Sequence, residues 1–469
     1  MRIAMCASEV VPFAKTGGLA DVAGALPVAL EKLGHEVIII MPGYKETRYP
    51  KSLSCRQAGE IRKLSADIAF SSIGENIKAY FIKNDAYFNR DGLYQDKKGD
   101  YKDNLERFTY FCRRAIVLLK EINFRADIIH VHDWQTCLIP VYLKSIYKED
   151  PFYKKMRTIL TIHNIGYQGI FPKDKFPKLA LDWSLFDMKG LEYYGQINLL
   201  KGGIIFSDTI TTVSPTYSKE IQTEEFGFGL EGVLSERKDS LFGILNGLDY
   251  SIWNPESDKF IARNFSCGSP QGKNKNKEEL QKLCNFPVTN TVPVLGIVSR
   301  LAEQKGFDIL REAIEDICKL NLQLVILGTG EARYHELLGK IAKKYPKTIS
   351  LHLKFDDPLA HKIYAGSDIF LMPSRYEPCG LGQLISLRYG TIPVVFKTGG
   401  LADTVNKDNG FVFVKYGKTD FLKAIKSALK AFRDKELWAC LMQRAMKGDF
   451  SWEKSARQYI KLYKDASAG

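Results

Sequence analysis

The heptapeptide Lys15-Thr16-Gly17-Gly18-Leu19-Ala20-Asp21 returns, residue for residue, as Lys397 through Asp403. Each copy stands between a strand-like run and a helix-like run, which points to an α/β chain with two related halves. In each copy a lysine precedes two glycines, so the backbone can turn sharply and expose N–H groups beside a positive charge. Such a loop suits an anionic or polyhydroxylated ligand. The bland alternative is a plain strand-to-helix turn that binds nothing.

The flanking sequence repeats this alternation. Residues 2–7 read as a strand, and 36–41 as the next. Between them Leu19, Val22, Ala23, Leu26, Leu30 and Leu33 recur at helical spacing, predicting a helix over 19–33 closed by Gly34. Strand-like runs follow at 127–132, 157–163, 208–213 and 241–245, with Ser214-Pro215 as an N-cap and first helical residue. The polar stretch from Tyr80 to Tyr110 reads as a long surface excursion, and 264–277 as a loop or the start of a linker. Alternation then resumes: strands at 293–299, 322–327, 349–354, 368–372 and 391–396, helices between them, and a last helix from about Ser451 to Tyr463. At 469 residues the chain exceeds what one core usually serves. The expected architecture is therefore two doubly wound, Rossmann-like α/β domains facing each other across a deep cleft, with ligands at the carboxyl ends of the strands.

Composition narrows the function classes. The net charge of +13 comes from scattered lysines, with short clusters such as Lys273-Asn274-Lys275-Asn276-Lys277. It reads as solvated surface that helps attract an anionic substrate, and no nucleic-acid module is recognisable. Nine cysteines, an odd number without a CxxC pair, fit reduced thiols rather than a disulfide framework or a zinc site. The chain opens directly on a strand-like run, and no apolar run reaches transmembrane length. A soluble, cytoplasmic protein is expected, with neither membrane nor nucleic-acid partner.

The polar clusters fall at predicted strand ends. Arg300 and Lys305 make a cation pair suited to phosphates, against the alternative of a surface ion pair with Glu303. In Glu377-Pro378-Cys379-Gly380-Leu381-Gly382, the glutamate either accepts from sugar hydroxyls or only complements a helix dipole. Cys379 reads as apolar filler rather than a nucleophile. His132 reads as a hydrogen-bonded structural histidine. His163, Asn164 and Trp134 offer the mixed donors, acceptors and apolar face that a sugar site needs. H-E-x-x-H spacing is absent, so no metal site is expected. Gly328-Thr329-Gly330 lacks the rest of a dinucleotide fingerprint, which argues against a dehydrogenase.

Together these motifs resemble the bacterial and plant glycogen/starch synthases, retaining glucosyltransferases with two Rossmann-like domains (the GT-B type). The resemblance rests on Lys15-Thr-Gly-Gly-Leu-Ala-Asp-Val22, His132-Asp-Trp134, Ile162-His-Asn164, Tyr167-Gln-Gly169, Leu200-Lys-Gly-Gly203, Asn246-Gly247 and Trp253-Asn-Pro255. It continues through Ser299-Arg-Leu301, Gln304-Lys-Gly306, Pro373-Ser-Arg-Tyr-Glu-Pro-Cys-Gly-Leu381, Thr398-Gly-Gly-Leu-Ala-Asp-Thr-Val405 and Phe450-Ser-Trp452. It implies glucose transfer from ADP-glucose to the non-reducing end of an α-1,4-glucan, without metal or other cofactor. It also implies a first domain over 1–247, joined by a returning helix at 451–469, and a second over 248–450.

By matching position, Lys15, Gly17 and Gly18 lie against the donor, and Arg300 and Lys305 neutralise the departing diphosphate. His163 stands at the anomeric centre, Asp133 is a catalytically important acid, and Trp134 lines the glucose pocket. Asn246, Glu377, Cys379 and Gly380 match glucose-contacting positions, with Asn164, Leu381 and Gly382 also on the donor. Phe355 stacks on adenine, and Tyr94 lies on the acceptor side. Three positions depart from the family pattern: Phe355 where tyrosine is common, Gly382 where a hydroxyl or amide is frequent, and Gln135 where histidine is common. A UDP-glucose-dependent enzyme and a non-catalytic glucan-binding relative are the competing readings. The oligomeric state is not legible in the sequence.

Overall fold

A computed structural model describes residues 1–48 and 62–468; Cys55 lies outside them. The chain divides into two compact units, Met1–Gly247 with Trp452–Gly469, and Leu248–Ser451. The first is built on a nine-stranded sheet. Its spatial order is Leu241–Gly243, Thr209–Thr212, Arg157–Ile162, Ile128–His132, Arg2–Cys6, Glu36–Pro42, Ile77–Ile82, Ile68–Ile73 and Arg62–Lys63. The first seven of these are parallel, and the last two run antiparallel to their neighbours. Continuous burial of Ile3–Ala7 and of Ile128–His132 explains the apolar runs, since a parallel sheet is covered on both faces.

The second unit carries six parallel strands in the order Ile349–His352, Gln323–Leu327, Val294–Val298, Ile369–Met372, Ile392–Phe396 and Phe411–Phe413. Numbered along the chain this is 3-2-1-4-5-6, the doubly wound dinucleotide-fold order. The parallel strands of the first sheet follow the same order with one more at the far edge. Each sheet thus reverses direction between its first and fourth parallel strands, and a crevice opens at their carboxyl ends.

The α/β expectation holds, and the predicted strands and helices appear within a few residues of their expected bounds. The strand Phe411–Phe413 and the antiparallel edge of the first sheet were not anticipated. Ser214 caps its helix as expected, accepting from Tyr217 N at 2.9 Å. No helix among the described residues is long and apolar enough to cross a membrane.

Two sequence expectations are corrected. The stretch 80–110 is a surface excursion only in its middle: it begins in the third parallel strand and ends inside the helix Asn104–Glu121, while between 83 and 103 every residue but Phe88 and Leu93 is exposed or half-buried. Arg107, fully buried, anchors the segment between, donating to Tyr87 O at 2.7 Å, Leu93 O at 3.0 Å and Asn104 Oδ1 at 2.6 Å. Polar composition hid the strand and helix at its ends, and it gave no sign that one buried cation pins the loop between them through two of its carbonyls.

The cluster 273–277 is solvated surface only at Asn274 and Lys275. It lies in the helix Gly272–Leu283, and Lys273 and Lys277 are 5% and 2% exposed. Lys273 Nζ donates to Ala365 O at 3.0 Å, Tyr389 O at 2.9 Å and Thr391 Oγ1 at 2.7 Å, while Lys277 pairs with Asp368 at 2.8 Å. A long aliphatic stem lets a lysine cross apolar packing when acceptors wait at its end.

Candidate active site

In the second unit the crevice falls between Val294–Val298 and Ile369–Met372. The residues leaving these strands, Ser299-Arg300 and Pro373-Ser374, line a cavity of about 250 Å³ together with Lys305, Glu377, Leu381 and Gly382. Five residues read from the sequence as donor-side positions therefore meet in one hollow. Lys305 Nζ reaches both Glu377 oxygens, at 2.6 and 2.9 Å, and Ser374 Oγ donates to Glu377 Oε2 at 2.9 Å. Glu377 is 5% exposed, so its charge is held by the ammonium and the hydroxyl rather than by water. Lys305 spends two of its three N–H bonds there. Arg300 is exposed and forms no ion pair among the described residues. Glu303, its suggested alternative partner, pairs with Arg333 at 2.9 Å.

The turn Glu377–Leu381 is pinned from both sides. The buried Gln383 donates to Cys379 O at 2.9 Å and Gly380 O at 3.0 Å. From the other side the second glycine loop packs onto it: Gly400 N donates to Glu377 O at 3.2 Å and Pro378 O at 3.1 Å. A Cβ on Gly399, whose φ is +40°, would stand 2.0 Å from Glu377 O, and one on Gly400 2.1 Å from Cys379 O. These two glycines are needed so that one backbone can lie against another.

The first loop differs. Neither Gly17 nor Gly18 has a positive φ, and a Cβ on either would meet nothing within 4 Å. The described chain supplies no steric or conformational reason for glycine at either position. The expectation that this loop holds out its N–H groups needs correcting, however. The buried Glu9 accepts from Thr16 N, from Thr16 Oγ1 at 2.6 Å and from Gly17 N at 3.1 Å. Tyr94 OH also donates to Glu9, at 2.6 Å, and bonds Ser8 Oγ at 2.8 Å, so its hydroxyl is engaged inside the unit. Lys15 is half exposed and pairs with Asp21 at 2.7 Å. Sequence reasoning passed over Glu9, whose only signal was a carboxylate just past the first strand.

The same crevice of the first unit holds Asp133, at the end of Ile128–His132. Its φ of +53° is a strained setting for a non-glycine residue. Oδ1 accepts from His163 N at 2.7 Å, joining the ends of two adjacent strands. Burial pushes the carboxyl up to about 7, against the backbone N–H groups of His163 and Asn164. Burial drives the His163 imidazole down to about 3, so it is neutral at physiological pH. Its Nε2 lies 3.0 Å from Nδ1 of the fully buried His132.

Trp134 packs edge-on against Phe108 and Phe171, with ring centroids 5.0 and 5.8 Å away. Asn164 Oδ1 accepts from Gly166 N at 3.0 Å. Asn246 Oδ1 is buried without a hydrogen-bond partner among the described residues. Phe355, in the second unit, is 83% exposed, an unusual setting for so large an apolar ring. Among the described residues no group of three or more His, Cys, Asp or Glu side chains is arranged to hold a metal ion.

Comparison with known proteins bears on this geometry. Residues 2–236 match the family model of the starch synthase catalytic domain, and 285–437 that of glycosyl transferases group 1. The glycogen synthase of Geotalea daltonii is 48% identical, aligned over 99% of this chain and 98% of its own length. That of Thermotoga maritima is 46% identical over 100% and 99%. The chain belongs to the glycogen and starch synthase family. This is a family of glycosyltransferases, and its members share the two Rossmann-like units of the GT-B type. The catalytic domain of Arabidopsis thaliana starch synthase IV, solved with ADP and acarbose, superposes with a TM-score of 0.89 at 34% identity, covering 100% of this chain and 99% of that one. A sucrose-phosphate synthase from Thermosynechococcus elongatus, 16% identical with a TM-score of 0.62, shares the fold.

Proposed function

We propose that this synthase-family chain transfers glucose from ADP-glucose to the non-reducing end of an α-1,4-glucan, retaining the anomeric configuration and using no metal. One observation supports the reading above the rest. At the switch point of the second sheet, where a doubly wound fold takes a nucleotide, Arg300 and the Lys305–Glu377 pair line one hollow. The similarity to a starch synthase solved with ADP and acarbose supports a nucleotide donor and a glucan acceptor.

In this reading, cleaving the bond between the anomeric carbon and the phosphate oxygen builds negative charge on the diphosphate. Arg300, the third N–H of Lys305 and Lys15 meet that charge. Glu377 and Ser374 hold the Lys305 ammonium in place before the charge appears, which makes its stabilisation electrostatic preorganisation. His163 and Asn246 contact the glucose. Phe355 carries the adenine: the loss of a tyrosine hydroxyl leaves its stacking face intact. The empty space around Gly17 and Gly18 admits the donor close to the backbone. At Gly382 only the backbone remains to meet phosphate. The thiols, none in a disulfide among the described residues, suit a reducing cytoplasm.

The deciding experiment is a donor competition with glycogen as acceptor. ADP-glucose should be used in strong preference to UDP-glucose, with and without a chelator present. Preference for UDP-glucose would overturn the donor assignment, and glucose incorporation from neither would overturn the enzymatic reading.

A further inference from the structure

We propose that His132 is a positioning residue that holds His163 in the tautomer carrying its proton on Nδ1. The sequence offered His132 only as a structural histidine; the geometry gives it a task. His132 Nδ1 and His163 Nε2 face each other at 3.0 Å, a contact that requires one proton between two nitrogens. Either nitrogen could carry it, and the far side of each ring decides which does.

The far nitrogen of His132, Nε2, is fully buried and has no hydrogen-bond partner among the described residues. On one face its ring lies against His130, with centroids 4.2 Å apart. The His130 nitrogens are taken by Tyr463 OH at 2.8 Å and Thr161 Oγ1 at 2.6 Å, so that ring offers His132 nothing. If His163 donated, His132 would have to keep its own proton on Nε2, leaving an N–H donor buried with no acceptor. Orphaned buried N–H groups are the rarest kind of unsatisfied polar group. If His132 donates from Nδ1, only a bare ring nitrogen is left behind. The far nitrogen of His163 is under no such constraint, because it is not one of the buried polar atoms without a partner.

The proton therefore sits on His132 Nδ1, and His163 Nε2 accepts. His163, neutral through burial, then carries its own proton on Nδ1 and presents a fixed N–H donor on the side of the ring away from His132. A sugar hydroxyl oxygen on that side meets a donor in place before it arrives. In the other tautomer it would meet a lone pair. The main chain of His163 is held separately, by its N–H to Asp133 at 2.7 Å, so His132 governs the ring and Asp133 the backbone.

The functional consequence rests on the reading of His163 as a glucose contact; the tautomer does not. The test is a long-range ¹H–¹⁵N correlation spectrum of the full chain with ¹⁵N-labelled histidine. The His163 signals are those lost in His163→Gln. A protonated Nδ1 and bare Nε2 are expected; a protonated Nε2, or averaged nitrogens, would overturn the proposal. In His132→Phe the His163 pattern should become averaged and kcat fall at least tenfold at little-changed glucan KM. His132→Gln, which keeps an N–H donor, should restore part of both. An unchanged His163 pattern in His132→Phe would overturn the positioning role. If His163→Gln itself turned over normally, the glucose-contact reading would fall while the tautomer assignment stood.

Discussion

At the level of single residues, two lysines of the second unit, Lys305 half-buried and Lys273 buried, are held by very different partners. Lys305 is bound by a carboxylate, and the pair lines the cavity. Replacing Lys305 with Gln should lower kcat/KM for the donor by about 10²–10³, the scale for losing one preorganised donor. Glu377→Gln should do comparable damage by releasing the ammonium, and steady-state kinetics with ADP-glucose checks both. Lys273 is held by main-chain carbonyls, those of Ala365 and Tyr389, at the carboxyl ends of two helices. There its N–H groups meet carbonyls that a helix leaves unpaired. Lys273→Met should therefore cost about 3 kcal/mol in urea unfolding, because the carbonyls stay buried without a donor. None of this was legible locally: the partners lie 72 residues from Lys305 and 92 and 116 from Lys273.

The repeated heptapeptide shows at the level of elements how identical sequences acquire different tasks. The first copy leaves the first strand of its sheet; the second leaves the fifth strand of the other. They are not equivalent loops. The position matching Lys397–Gly400 in the first unit is His163-Asn164, and that matching Lys15–Gly18 in the second is the stretch from Ser299 to Lys305. The repeat led to the correct expectation of two related halves, although the halves are related by strand order and not by this loop. Glycine substitutions separate the two roles. Gly17→Ala should change stability by less than about 0.5 kcal/mol while lowering donor kcat/KM. Gly399→Ala should destabilise by at least about 2 kcal/mol, since its Cβ would meet backbone at 2.0 Å. Thermal unfolding compared with kinetics for the two variants checks this, and loss of stability in Gly17→Ala would contradict the open surroundings of that loop.

For the whole molecule, the buried groups of the first unit set how the protein responds to acid. Desolvation lowers the imidazoles of His130, His132 and His163, the first and last to about 3. Between about pH 4.5 and 6 the unfolded chain binds a proton at each of these three, and the folded chain does not. Asp133 acts oppositely: its carboxyl, raised to about 7, keeps a proton in the folded state that the unfolded state has lost. Three protons against one leave two in favour of the unfolded chain. Stability should therefore fall on acidification by about 2.7 kcal/mol per pH unit across this window, and the lowered His35 and His352 add to it. Asp133→Asn removes the opposing proton and should steepen the slope by about 1.4 kcal/mol per unit. Urea unfolding at several pH values measures both. A flat profile would mean that these histidines are protonated in the folded protein.

The amino-acid sequence by itself determined the α/β class, the positions of most strands and helices, and the placement of the polar clusters at strand ends. Those properties follow from periodicity and turn chemistry within a few neighbouring residues, where a short window holds all the information. The tertiary structure alone decided that Glu9 would take the N–H groups of the first glycine loop and that Lys305 would find Glu377. It also turned His132 toward His163 and sank two lysines of a polar cluster into the interior. Each depends on which strands become neighbours. Strand order is set by long-range packing of both sheet faces, and no local pattern carries it.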